Sequence, residues 1–210
     1  MGSQPVCSPR ELLVRAKRGV SEDIGRLLQT YTNYLNLLAV TQMDPKLRAR
    51  LGPSDVVQET FYEAQRDFHQ FRGHTEQEFM AWLRQILVNN LSRLVERHVL
   101  AAKRDVRREV SLERMRNAVE LSTARLEAVL ADQGASPSAS VQDREHAILL
   151  ADQLAEMPAD HREVLVLRHL QGLPFKEVAR RMDRSHGAVR MLWLRAIGSL
   201  RQRLQEKDLI

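Results

Sequence analysis

Between Phe175 and Arg195 the chain reads FKEVARRMDRSHGAVRMLWLR, an apolar rhythm at three- and four-residue spacing that breaks at Asp-Arg-Ser-His-Gly and then resumes. That spacing is helical and does not alternate as a strand would. A break this short obliges the two helices to cross close together. Gly172 closes the segment before them, and Pro174 suits the first turn of a helix, where a missing N–H costs nothing. Val178, Ala179 and Met182 share the inner face of the first helix. Ser185 is placed to cap the second, whose apolar stripe is Val189, Leu192, Trp193, Ala196 and Leu200. The pattern predicts a helix-turn-helix with residues 186–204 as its recognition helix.

Positive charge gathers at the same place. Residues 180–203 contain seven arginines and one acidic residue. The second helix also points the positive end of its dipole there, and phosphates satisfy both features. Arginine adds bidentate hydrogen bonding to guanine in a major groove. A solvated basic face on an ordinary core helix accounts for the charge alone. Gly187 weakens its helix by roughly 1 kcal/mol relative to alanine, which predicts a close backbone approach at that position.

The same periodicity fills the first half. Leu12, Leu13, Ile24, Leu27, Leu28, Tyr31, Leu35 and Leu38 make a buried helical face. At LGPSD, Gly52 and Pro53 end one helix and Ser54 is a fit N-cap for the next. That next helix carries Val57, Phe61, Ala64 and Phe68 on one stripe and Asp55, Glu59 and Glu63 on another. After FRGH at 71–74 a further helix begins near Glu78 and runs through Leu83, Leu87, Leu91 and Leu94. Six of the ten aromatic residues lie between positions 61 and 82.

With 210 residues, 43% hydrophobic, the chain has enough apolar surface for one large core or two small ones. The expected class is all-α, as two small helical domains joined by a flexible linker, the C-terminal one a helix-turn-helix. The boundaries read 10–112, 113–143 and 144–206. ADQGASPSASVQD at 131–143 carries the linker assignment, since such a composition buries too little surface to hold itself folded. The stretch 109–130 is able to form a helix and to dock on either domain.

Net charge is +5, from 32 basic and 27 acidic residues, so its distribution matters more than its total. Cys7 is the single cysteine, which excludes an internal disulfide and a cysteine-based zinc site. No run of 18 or more apolar residues exists and the N-terminus lacks a signal-peptide core, so a soluble cytoplasmic protein with no membrane partner is expected. The seven histidines are scattered without an HExxH pair, and no Gly-rich phosphate loop or GxSxG elbow occurs. No catalytic residue, metal ligand set or cofactor is expected, and the chain does not read as an enzyme.

DVVQETF at 55–61, FRG at 71–73, FMAWLRQILVNNL at 79–91 and MPADHREVLVLRHLQGLPFKEVARRMDRSHGAVRMLWLRAIGSLR at 157–201, in this order across a polar linker, resemble bacterial extracytoplasmic-function sigma factors. The resemblance spans roughly residues 10 to 205. It implies an initiation subunit that binds core RNA polymerase and directs promoter-specific transcription of a stress or signal-responsive regulon. Asp55, Gln58, Glu59 and Phe61 would then dock on the polymerase, an acidic stripe suited to a basic partner.

The resemblance further implies that Phe71, Arg72, Gly73, His74 and Asn89 receive flipped-out bases of the minus-10 element. An aromatic face, an amide and nearby charge are what unstacked single-stranded bases need. Arg84, Arg93, Arg97, Lys103 and Arg104 would lie near promoter phosphates. Arg184, Ser185, His186, Arg190, Met191, Leu194 and Arg195 would face the minus-35 element. Met191 and Leu194 are apolar where hydrogen-bonding groups would help read bases, which leaves thymine methyls as their contacts. Asp183 stands where a glycine is frequent in the turn, and Asp tolerates left-handed backbone better than most residues. Whether an anti-sigma protein, a kinase or the chain's own segments hold it inactive is open. The rival reading is a stand-alone helix-turn-helix regulator, which leaves the acidic stripe and the aromatic segment unexplained.

Overall fold

The computed structural model describes residues 7–43, 48, 52–99, 113–122, 124–125 and 142–207. Every regular element among them is a helix. Contacts divide the chain into two compact units, Met1–Arg116 and Asn117–Ile210. Lys103, Arg104 and the polar stretch 131–141 lie outside the described residues.

The first unit opens with the helix Pro9–Lys17, started by a capping box in which Ser8 and Glu11 exchange hydrogen bonds of 2.9 and 3.3 Å. Gly19, at φ 94°, ends it in the left-handed region. Helices Ser21–Thr30 and Thr32–Gln42 follow and bury Leu27, Leu28, Tyr31, Tyr34, Leu35 and Leu38. The next helix, Pro53–Asp67, begins earlier than its sequence suggests. Gly52 is the N-cap, Pro53 is the first helical residue, and Ser54 is already inside. Asp55 makes this start possible by accepting the Gly52 N–H at 3.0 Å.

A short 3₁₀ turn, Phe68–Gln70, and the loop to Thr75 lead into the long helix Glu76–Val99. Two polar locks fix how Pro53–Asp67 is rotated against it. Asn90 donates to Thr60 in the buried interface, and Arg93 donates to Glu63 at 2.6 Å. Glu63 therefore leaves the acidic stripe on which its spacing placed it: it is buried, and the lock turns Asp55, Gln58 and Glu59 outward.

In the second unit Gln142–Glu156 and Ala159–Leu165 lead into a π-helical stretch, Val166–Leu170. Gly172, at φ 68°, turns the chain out of it. Phe175–Arg181 and His186–Gln205 then form the helix-turn-helix. Pro174 is the N-cap of the first of these and not a first-turn residue. Val178, Val189, Ala196, Leu200 and Leu204 are buried at the crossing. His169, which its position marks as a surface or helix-end residue, is half-buried and accepts the Trp193 indole N–H at 2.9 Å. Residues 113–122, within the stretch assigned to the linker, are helical.

Candidate nucleic-acid interface

The recognition helix starts where Ser185 accepts the Ala188 N–H at 3.2 Å. The turn before it passes through Asp183 at φ 51°, and the Arg184 N–H returns to the Ala179 carbonyl at 3.0 Å. Asp183 thus fills a left-handed position that glycine would occupy more cheaply. Past the cap, Gly187, Arg190, Met191, Leu194 and Arg195 are all exposed and follow one another at helical spacing on one face. Met191 and Leu194 are 52% and 51% exposed, whereas Val189, Ala196 and Ile197 on the other face are at most 8%.

The arginines of this region divide into two groups. Arg180 and Arg181 are held by Glu177, Arg184 by Asp160 at 2.5 Å and Arg203 by Glu156 at 3.1 Å. Glu177 sits below the ordinary carboxylate range because it accepts first from Arg180 and then from Arg181. Arg190 and Arg195 are exposed and have no carboxylate partner among the described residues. Among the described residues these two present charge beside Met191 and Leu194 that no carboxylate neutralises. The backbone approach expected at Gly187 is absent among the described residues, since a Cβ there would meet nothing within 4 Å.

In the first unit an open cleft of about 700 Å³ is lined by Lys17, Arg66, His69, Arg72 and His74 over a floor that includes Phe68 and Phe71. Of the residues expected to meet minus-10 bases, it gathers Phe71, Arg72 and His74. Arg84, Asn89, Arg93 and Arg97 lie instead along the long helix. Arg84 donates to the Tyr34 hydroxyl, Asn89 accepts from Gln85 and Arg93 is paired with Glu63, whereas Arg97 is exposed.

The ring of Phe71 does not offer a stacking face. It is 7% exposed and packs 5.2 Å from Trp82 and 5.4 Å from Phe79, ring centre to ring centre, with Lys17 above it. The aromatic cluster wins this ring because its burial is worth more than an exposed edge. Gly73 is needed for room: a Cβ there would meet the Phe71 ring at 2.5 Å and Glu78 at 2.7 Å. Its carbonyl accepts from Lys17. Lys17, Arg66 and His69 join the site from outside the motif. No local signal points to Lys17, 55 residues before Arg72, whereas Arg66 and His69 are exposed polar residues at the end of a helix of known phase.

Glu78 shapes the rim. Its carboxylate accepts from the His74 N–H at 2.8 Å, the Thr75 hydroxyl at 2.9 Å and the Thr75 N–H at 3.0 Å. These bonds hold its pKa below the ordinary 4.5, the His74 amide contributing most. A lowered folded-state pKa means that the stabilisation is complete above the unfolded value and is lost as pH falls through the folded one. Protection of the His74 and Thr75 amides is therefore expected to drop on the acid side of pH 4.5. Glu78→Gln should lower it already at pH 7 and flatten that dependence, as read by amide exchange corrected for intrinsic rates.

Residues 153–202 match the family Sigma-70, region 4. The ECF RNA polymerase sigma factor BldN of Streptomyces coelicolor is 29% identical over 196 residues, 93% of this chain and 66% of its own length. The ECF RNA polymerase sigma-E factor of Haemophilus influenzae is 26% identical over 194 residues, 92% of this chain and 94% of its own. Over nearly its whole length the chain is similar to extracytoplasmic-function sigma factors. The chain spans about two thirds of BldN's length. Among solved structures, BldN in its complex with RsbN is 23% identical over 91% of this chain and 99% of that one, with a TM-score of 0.32. CnrH, in complex with the cytosolic domain of CnrY, is 22% identical over 94% and 97%, with a TM-score of 0.36.

Asp55, Gln58 and Glu59 are exposed along Pro53–Asp67, with Phe61 half-buried on the flank. The outward ring is Tyr62, 64% exposed, with Arg66 6.0 Å from its centre. Positions 55, 58, 59 and 62 fall on one helical line, so the stripe continues through Tyr62 and not through Phe61. Among the described residues no helix is long and apolar enough to cross a membrane.

Proposed function

We propose that this sigma factor binds core RNA polymerase through Asp55, Gln58, Glu59 and Tyr62 and brings two DNA-reading surfaces to a promoter. The recognition helix reads the minus-35 element in duplex form. The basic cleft of the first unit, with Arg72 and His74 at its rim, takes unpaired bases of the minus-10 element. Phosphate contacts from Arg97 position that strand. Catalysis belongs to the polymerase, and the place of work is the cytoplasm. A protein that holds the chain inactive would cover Tyr62 or the Met191 and Leu194 face.

The observation that carries this reading is the outward face of the recognition helix. Two unneutralised arginines flank two exposed apolar side chains on the side opposite the core. A major groove offers guanine edges to the first and thymine methyls to the second. Gly187 on the same face leaves its backbone open to a phosphate. Gly187→Ala should therefore raise the melting stability, by up to about 1 kcal/mol, while weakening promoter binding. Calorimetry and a DNA titration on one preparation read the two signs.

The deciding experiment mixes the purified chain with core RNA polymerase of its source organism. Complex formation and promoter-specific transcription on genomic fragments are measured together. Complex formation with initiation at defined sites is the expected result. Failure to bind core, with tight binding of the chain alone to duplex sites, would mean a free-standing regulator.

A further inference from the structure

Arg184 sits at the start of the recognition helix, one residue before the Ser185 cap, and its backbone is fixed. Asp183 holds the left-handed turn before it, and the Arg184 N–H is bound to the Ala179 carbonyl. From there the guanidinium reaches across to another helix. It meets Asp160 at 2.5 Å, 24 residues earlier in the chain and in the first turn of Ala159–Leu165. The bridges of Glu177 to Arg180 and Arg181 are of another kind, since they run within one turn of one helix. Arg203 meets Glu156 at the far end of the recognition helix, about 25 Å along its axis from His186. The Asp160 and Arg184 side chains stay open to solvent, at 54% and 42%. A pair so exposed adds little to stability. What it does change is the charge at the helix start, where backbone amides and the dipole draw phosphate.

We propose that Asp160 is a positioning residue that holds Arg184 off the phosphate backbone and so sets the strength, but not the sequence preference, of duplex binding by the recognition helix. This rests on the reading that the helix lies in duplex DNA. An arginine that neutralises one phosphate releases counterions and steepens the fall of log K with log salt by about 0.9. Arg184 forgoes that contact while its guanidinium is bonded to a carboxylate, because the pair as a whole is neutral. Phosphates are alike in every sequence, whereas Arg190 faces the base edges. The carboxylate therefore tunes the first contribution and leaves the second alone. Asp160 touches no DNA itself and acts through Arg184.

The test titrates the complete chain, without polymerase, into two labelled duplexes of equal length over a range of salt. One is of random sequence, and the other carries the sequence that the unmutated chain enriches from a random pool. Asp160→Asn should bind both more tightly by the same factor, about five- to ten-fold at about 0.1 M salt, with a salt slope steeper by about 0.9. Its melting temperature should be unchanged. Asp160→Glu, which keeps the carboxylate, should stay near the unmutated affinity. Arg184→Ala added to Asp160→Asn should erase the gain. A gain that survives that second substitution overturns the proposal, because the carboxylate then acts on DNA by its own repulsion. A gain confined to the enriched duplex overturns it too, since a phosphate contact does not tell sequences apart, and so does unchanged affinity in Asp160→Asn. Failure of the pool to enrich any sequence sinks the reading of the recognition helix instead, while the random duplex still decides the role of Asp160.

Discussion

Glu59→Lys is expected to abolish capture of the chain by core RNA polymerase while leaving the melting temperature of the free protein within a degree or two. Glu59 is exposed and makes no hydrogen bond or ion pair with the described residues, so nothing inside the fold depends on its charge. Asp55, by contrast, spends one carboxylate oxygen on the Gly52 N–H. A like-charge contact in an interface costs several kcal/mol, which converts to a loss of affinity of about 100-fold or more. Tyr62→Ala should cost about 2 kcal/mol if the exposed ring seats in a pocket, as aromatic anchors at interface centres do. A titration of labelled chain with core polymerase reads both. Unchanged affinity in Glu59→Lys would remove the acidic stripe from the interface and shift the search to other faces of the first unit.

The second large effect is at the recognition helix. Arg190→Ala should weaken binding to the minus-35 element by about 1 to 3 kcal/mol and relax its sequence preference, as loss of a base contact does. Arg184→Ala should do much less, because that guanidinium is already engaged by Asp160 at 2.5 Å. The contrast between two arginines six residues apart is the useful measurement, since a uniform electrostatic role predicts equal losses. Scrambling the minus-35 sequence provides the control. If the unmutated protein initiates equally on native and scrambled templates, the arginine has no base to read.

Much of this arrangement was legible in the residues. The helix-turn-helix followed from the stripe spacing and from Ser185 and Gly172, and the structure keeps both of these at their termini. Asp183 was recognisable as a residue tolerant of left-handed backbone, and φ 51° is where it sits. The rotation of Pro53–Asp67 was harder to read. Its phase depends on Asn90 and Arg93, 30 residues from their partners Thr60 and Glu63, and no local pattern announces such a pairing. Tyr62 was within reach, because it lies seven residues after Asp55 on the same helical line. Phe71 was not, since a phenylalanine reads alike whether its face is free or packed against Phe79 and Trp82. Residues 113–122 carry too few apolar side chains to declare a partner, and it takes Arg125, which donates to the Leu170 carbonyl at 3.1 Å, to show where the segment after them rests.

The two tryptophans fall one to each unit, Trp82 in the aromatic cluster of the first and Trp193 against His169 in the second. Trp82→Phe and Trp193→Phe therefore yield a pair of single-reporter proteins whose intrinsic fluorescence follows one unit at a time. Their denaturation midpoints, compared in the same buffer, separate the stability of the first unit from that of the second. Quenching of the Trp193 signal by added duplex would report occupancy of the recognition helix without any label.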